Sequence, residues 1–385
     1  MSRRQAAETM DERRPERHEA LVIGGGQAGL AVSDALTRRG IQHLVLEARS
    51  RVGDQWRDRW DSLRLYSPAR SDSLPGMPFP APPSAYPSGH QMADYLGAYA
   101  DERRLPIRTG VKVDGLMAVD GGGYVVTAGE LRFECEQVIV ATGAFQEPRI
   151  PDFATLLRTE IRQLHSRDYR RPDQLADGPV LVVGLSHSGA DVAFEAAHNG
   201  HETHLSGKAH GQLPFSVESR RGRVMWRVLQ FVFSHVLTLN TPLGRRAAPA
   251  VRKGGGPLLR IRMPDLLAAG VEHHPSRTTG VSDGRPVLAD GTVLDVATVV
   301  WCTGFKADYS WIKLPLLGSD GWPRQYRGVA DVPGMYFVGI PFQFAFSSML
   351  ILGVPRDAAY VADRVADRTR GTGTLSAARR RLKPR

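Results

Sequence analysis

The chain has 385 residues, 42% hydrophobic and 23% charged, which is enough for two or three domains with cores of their own. Its formal charge of +10 would suggest a polyanion partner, but seven basic residues and no acidic ones lie between Arg368 and Arg385. The remainder carries only about +3, so nucleic acid is not an expected partner. The two cysteines, Cys135 and Cys302, form no C-x-x-C, which excludes a local redox dithiol and leads us to expect a reducing, cytoplasmic setting. The N-terminus lacks the apolar stretch of a signal peptide, and no run has the length of a membrane span.

Residues 1–17 are polar and expected to be a disordered tail. From His18 to Glu47 the pattern "EALVIGG", "AGLAVSDALTRRG", "HLVLEA" predicts strand, helix and strand. A Gly- and Pro-rich stretch follows, from Arg51 to Gly89, too long and too patterned for an idle loop. After the helix "HQMADYLGAYADERR" come short strands with a "DGGG" hairpin signal, ending in "QVIVATGAF". Pro148 and Pro151 mark a boundary, and a second strand–helix–strand unit runs from Val180 to Leu205.

Next, "SRRGRVMWRVLQFVFSHVLTLN" predicts a covering helix rather than a span, since Arg223, Arg227 and His235 interrupt it. Its Trp226 and Phe231–Phe233 either cap an apolar entrance or pack on the neighbouring domain. Then "VLADGTVLDVATVVWCTGF" repeats the logic of "VVTAGELRFECEQVIVATGAF": a hairpin, then a strand ending in Thr-Gly. The closing strand "GMYFVGI" leads to a helix for which Ser347 or Ser348 is the expected N-cap.

The expected fold class is therefore α/β with two Rossmann-like dinucleotide-binding domains, one inserted into the other. The expected boundaries are 18–152 with 300–366 for the outer domain and 153–299 for the inner one. A basic disordered tail is expected over 367–385.

Two glycine turns carry the chemistry. Gly24, Gly26 and Gly29 form G-x-G-x-x-G between strand and helix: the first makes the turn, the second admits a pyrophosphate, and the third lets helix and strand pack closely. Glu47 ends the next strand, where a carboxylate accepts ribose hydroxyls. A shift of 160 residues aligns the second unit without a gap. Gly184 falls on Gly24, Ser186 on Gly26, Gly189 on Gly29, and Gly207 on Glu47. The ribose acid is thus missing and Lys208 follows, with His204 and His210 nearby, an arrangement that suits a 2′-phosphate. The first turn is expected to hold FAD and the second NADP. The N-terminus of the closing helix would face the flavin N1–C2=O edge.

With these motifs in place the chain resembles the flavin-containing, or class B flavoprotein, monooxygenases, especially the small bacterial branch described as flavoproteins involved in ion transport. The resemblance covers about residues 18–366. It rests on "VIGGGQAGLA", "RVGDQWRDRWDSLRLYSP", "IVATGAFQEPRIP", "VVGLSHSGADVA", "VVWCTGFKADYSWI" and "PGMYFVGIPFQFAFSSMLILGVPRDA". It implies reduction of FAD by NADPH, addition of O2 at the flavin C4a position, and transfer of one oxygen from the (hydro)peroxyflavin to a small substrate. The family motif F-x-G-x-x-x-H-x-x-x-[FY]-[KR] is half matched: His165, Tyr169 and Arg170 fit, while Thr159 and Ile161 replace Phe and Gly. Its Tyr-Arg ending favours heteroatom oxygenation over Baeyer–Villiger oxidation.

The resemblance further implies flavin contacts at Gln27, Ala28, Gln55, Trp56, Val113 and Gln343, and at Thr142 and Gly143. Nicotinamide-nucleotide contacts are expected at Ser186, Ser188, Lys208, Thr303 and Gly304. Tyr66, standing where animal-type members carry an asparagine, and Arg64 are the candidate catalytic residues. No metal ligands are expected. The alternatives are an NADPH oxidase or flavin reductase that makes peroxide, and a non-enzymatic redox-sensing flavoprotein. A weak membrane-surface contact and a homodimer complete the expectations.

Overall fold

A computed structural model describes residues 15–381 except 214, 216 and 218. The chain opens with strand β1 (Glu16–Ile23), helix α1 (Gln27–Thr37) and β2 (His43–Leu46). The four final residues of β1 are buried, as is every residue of β2, so these strands sit at the centre of a layer. A short helix, Asp54–Arg57, begins the irregular segment that ends at α2 (Gly89–Glu102). Ser88 caps α2 in a capping box with Gln91. Strands β3 (Ile107–Arg108), β4 (Gly115–Ala118), β5 (Tyr124–Ala128) and β6 (Leu131–Val140) follow. β6 runs parallel to β1, with Ile23 opposite Val140.

The chain leaves this sheet through β7 (Glu147–Pro148) and builds a second one from β8 (Arg162–His165), β9 (Val180–Val183), helix α3 (His187–His198) and β10 (Thr203–Ser206). Helices α4 (Arg220–Phe231) and α5 (Pro242–Arg252) cover the molecule before β11 (Glu272–His274), the hairpin β12 (Thr278–Ser282) and β13 (Arg285–Leu288), and β14 (Thr298–Trp301). The second sheet is parallel, in the order β11-β10-β9-β14-β8. β15 (Phe305–Lys306) pairs antiparallel with β7 where the chain crosses back. Strands β16 (Gln325–Tyr326), β17 (Val329–Ala330) and β18 (Met335–Phe337) then complete the first sheet, whose order is β16-β17-β18-β6-β1-β2-β3 with β5 also on β6. The final helix α6 (Val354–Arg381) packs on α1. Leu30 and Leu36 of α1 and Val361 and Val365 of α6 are fully buried between them, each such side chain contributing about 1.5–3 kcal/mol.

The architecture is thus α/β, with one Rossmann-like unit inserted into another. Four sequence expectations need correction. The tail ending at residue 17 is too long, because Glu16 and Arg17 already pair with Phe133 and Glu134. The boundary at 300 cuts a strand: Val300 and Trp301 pair with Val182 and Val183 in the second sheet, so the outer domain resumes only after the crossing at β15. The boundary at 367 falls inside a helix, since α6 runs from Val354 to Arg381. Finally, Ser347 and Ser348 do not cap the closing helix. They lie in a 3₁₀ turn, Phe346–Met349, where the Ser348 hydroxyl accepts from the Phe344 and Ala345 amides at 3.1 and 3.0 Å, and α6 starts only at Val354.

Candidate active site

The two glycine turns are built alike. Gly24 and Gly184 share φ = +108°, a left-handed conformation. Their amides donate to Leu46 O and Ser206 O at 2.8 and 2.9 Å. A Cβ on Gly29 would lie 1.8 Å from Gly24 O, and one on Gly189 would lie 1.8 Å from Gly184 O. In each unit the helix therefore enters as close to its strand as backbone allows. Thr142-Gly143 and Thr303-Gly304 sit at the ends of β6 and β14, and both glycines are left-handed, at +71° and +84°.

The first turn fits a dinucleotide. No side chain caps α1, which leaves its first-turn amides to a ligand, and Ala28 is buried there beside Gly339. Gln27 is half-buried at the helix start. Glu47 is buried at the turn, accepting from the Gly25 and Arg49 amides at 2.6 and 2.9 Å, and its remaining lone pairs can still take hydroxyls. The Gln55 amide nitrogen is buried against Gly26 and has no partner among the described residues; the same holds for the Trp56 indole and the Gln343 amide nitrogen. Buried donors left unpaired are costly, and a polar ligand would relieve them. Thr142 Oγ1 accepts from Gln146 at 2.7 Å, and Val113 packs at the edge of the neighbouring apolar cluster.

The second turn differs as its sequence does. Ser186 does not cap α3. Its hydroxyl accepts from the Gly256 amide at 3.0 Å and donates to Gly256 O at 3.3 Å, tying the turn to the loop after α5. His187 secures the same loop through Pro257 O at 2.8 Å. Ser188 is half-buried on the first turn of α3. Gly207 occupies the end of β10 at φ = +128°, and Lys208 beside it is exposed. Thr303 bonds the Arg149 carbonyl, and Gly304 O meets His165 Nε2 at 3.1 Å.

Tyr66 joins the two units. Its ring stacks on His187 at 4.5 Å, and its hydroxyl donates to Asp191 Oδ2 at 2.9 Å. Arg260 lies 3.8 Å from the other Asp191 oxygen. Burial, reinforced by the Asp191 charge, holds the Tyr66 phenol well above its ordinary range, so it remains a donor. Burial also pushes the Asp191 carboxyl up to about 6, although Arg260 and the Tyr66 hydroxyl oppose the shift. Arg64 is exposed, donates to Tyr86 O at 3.2 Å, and lines a cleft of about 410 Å3 with Ser62, Asp191, Phe194, Glu195 and Arg260.

Because the Asp191 pKa is raised on folding, its stabilising effect is greatest below the unfolded carboxylate value and disappears as pH rises through about 6. The melting temperature of the wild type, measured against Asp191→Asn, is expected to fall between pH 4 and pH 7. A pH-independent difference would count against this environment for Asp191.

His187, Asp191 and Arg260 were not anticipated from the sequence. The readable signal was an acid inside the otherwise apolar run "GADVA". The half-matched family motif lies at the domain crossing: His165 packs edge-on against Phe305 at 5.0 Å, and the buried Tyr169 donates to Glu195 at 2.9 Å. Neither cysteine offers thiolate chemistry, since burial pushes the Cys135 thiol up to about 12 and raises Cys302 further.

A fold with two such turns, joined through Tyr66, is that of a flavin- and pyridine-nucleotide-dependent oxidoreductase. The chain belongs to the pyridine nucleotide-disulphide oxidoreductase family, whose model matches residues 21–220, and to its flavin-containing monooxygenase-like members. It is 36% identical to the CzcO-like oxidoreductase of Geobacillus kaustophilus, over 90% of this chain and 98% of that one. It is 29% identical to the indole-3-pyruvate monooxygenase YUCCA1 of Oryza sativa, over 89% of this chain and 90% of that one. The solved flavin-containing monooxygenase from Stenotrophomonas maltophilia superposes with a TM-score of 0.72 at 26% identity, covering 92% of this chain and 99% of that chain. The protein is an FAD- and NADP-dependent enzyme of the flavin monooxygenase group. Among the described residues no helix is long and apolar enough to cross a membrane.

Proposed function

We propose that this monooxygenase uses NADPH and places one atom of O2 on a nitrogen or sulfur of a small organic substrate, in preference to insertion beside a ketone carbonyl. The observation that carries the reading is Tyr66 bridging from the flavin-side segment to α3, which ties the two nucleotide-binding units together. When bound, reduced FAD supplies the oxygen-activating chemistry. The chain's own residues do the binding. Gly24, Gly26 and the α1 amides take the pyrophosphate, Glu47 the ribose, and Gln55 a polar edge of the cofactor. Gly184, Ser186 and Gly189 hold the second pyrophosphate. Tyr66 stays protonated and, through its bond to Asp191, holds the flavin-side segment against α3. The Tyr169-Arg170 ending of the motif supports the heteroatom preference.

The test is product formed per NADPH consumed with a thioether, a tertiary amine and a cyclic ketone. Coupled oxidation of the first two is expected; coupling confined to the ketone would reverse the preference. Tyr66→Phe is expected to leave reduction by NADPH nearly unchanged and to lower coupled product about tenfold, the scale of one lost hydrogen bond to a charged group. Unchanged coupling would reduce Tyr66 to a packing role. Lys208→Glu is expected to raise KM for NADPH about tenfold or more while leaving NADH unaffected, since it places a carboxylate beside the proposed 2′-phosphate. Equal changes for the two nucleotides would contradict that placement.

We also propose that the outer face of α4 is the membrane-surface contact. Val224, Val228 and Phe231 are exposed along it, beside exposed Arg221 and Arg227. Sedimentation with phosphatidylserine-rich vesicles but not with phosphatidylcholine is expected, and to be lost in Phe231→Ser with Val228→Ser.

A further inference from the structure

We infer that the edge of the second sheet carries a site for one divalent transition-metal ion of the Zn2+ type, formed by His204, Glu272 and His274. The placement follows from strand register. β10 and β11 are parallel neighbours, with His204 opposite Glu272 and Ser206 opposite His274. The two-residue period of a strand puts Glu272 and His274 on one face of β11, and His204 reaches the same face from β10. Leu205, on the opposite face of β10, is buried in the apolar core.

The ligand atoms of the three side chains converge, with one carboxylate oxygen of Glu272 toward each histidine. His204 Nδ1 lies 3.2 Å from Glu272 Oε2 and 3.2 Å from His274 Nε2, and His274 Nε2 lies 3.4 Å from Glu272 Oε1. Four-coordinate zinc with bonds of about 2.0–2.1 Å requires ligand–ligand edges of about 3.3–3.4 Å. The two imidazole nitrogens, and each of them with one Glu272 oxygen, thus already lie near such separations. As a purely hydrogen-bonded set it is poorly matched. Two imidazole nitrogens facing each other can share only one proton along their line, and the carboxylate competes for it. A cation at the centre satisfies all three lone pairs together.

The surroundings agree. The ring nitrogen of His204 that points away from the cluster lies 3.5 Å from Glu202 Oε1, as in sites where a carboxylate orients a ligating imidazole. His204 is buried, His274 is half-buried and Glu272 is exposed, so the site has an anchored base and an open side for water or an incoming ion. Two histidines and one carboxylate suit Zn2+, Co2+ or Ni2+ better than the oxygen-seeking Mg2+ or Ca2+. The bound ion would clip the edge strand to its neighbour. It would do so next to the Gly207 turn, whose amide donates to His274 O at 2.9 Å. The ligands come from "HETHLS" and "VEHHP", segments that only parallel pairing brings together.

The test is titration of the untagged, FAD-loaded, chelator-treated full chain with Co2+, followed by the visible absorption of four-coordinate cobalt. Saturation at one equivalent per chain is expected. Glu272→Gln, an isosteric change at an exposed position, and His274→Ala should each weaken binding at least about tenfold, and Glu202→Gln by about 10–100-fold. His210→Ala, outside the cluster, should leave it unchanged. In parallel, Zn2+ should raise the melting temperature of the wild type but not of Glu272→Gln. Absence of stoichiometric cobalt absorption, or binding and stabilisation that persist in Glu272→Gln and His274→Ala, would overturn the site.

Discussion

Gly29→Ala is expected to yield a protein that purifies with less than about a tenth of its normal FAD and melts at a lower temperature. A methyl group there would stand 1.8 Å from the Gly24 carbonyl oxygen, where real contacts do not fall below 3.0 Å. The obstacle is backbone, so no side chain can rotate away, and either α1 or the turn must move by over an ångström. Overpacking of this kind costs about 1–3 kcal/mol of stability. It also withdraws the α1 amides from the proposed pyrophosphate position, which is the larger functional effect. Gly97→Ala is the matched control, since Gly97 is also helical, in α2, but nothing lies within 4 Å of the added carbon. Flavin absorbance per chain after gel filtration measures both. Full FAD retention in Gly29→Ala would contradict the assignment of the first turn.

Gly189→Ala carries the same 1.8 Å clash, now against the Gly184 carbonyl oxygen, and so separates the two turns. The variant is expected to remain yellow while its reduction by NADPH slows about 100-fold or more. Dithionite should still bleach it at the normal rate, because the first turn is untouched. Anaerobic mixing with each reductant, followed at the flavin absorbance, gives the answer. A colourless Gly189→Ala variant, or one reduced normally by NADPH, would place the nicotinamide nucleotide elsewhere.

Much of this site was legible because each turn is a local device. Strand, glycine turn and helix are contiguous, and the 160-residue shift between the units reappears as two turns with the same φ at Gly24 and Gly184. The boundary at 300 was misread for a related reason. "TVVWCTG" repeats "QVIVATG" because each is the strand that ends in Thr-Gly within its own sheet, and a repeated pattern identifies the kind of strand without saying which sheet it joins. Ser347 and Ser348 looked like caps because capping is local chemistry. Yet Gly353, where a Cβ would meet Ser347 O at 2.1 Å, folds the chain back tightly before α6 begins. What the sequence hid was long-range. Tyr66 meets Asp191 across 125 positions, and His204 meets His274 across 70. No periodicity encodes such pairs, and only the two-sheet architecture supplies them.

The central claim is that this enzyme delivers oxygen from O2 to a substrate rather than releasing it as peroxide. The most direct measurement is turnover with NADPH under 18O2 in the presence of a thioether or tertiary amine, with product isotope, NADPH and hydrogen peroxide quantified together. The account predicts one 18O atom in each product molecule and close to one product per NADPH consumed. Unlabelled product, or NADPH consumption matched entirely by hydrogen peroxide across the substrate panel, would contradict it.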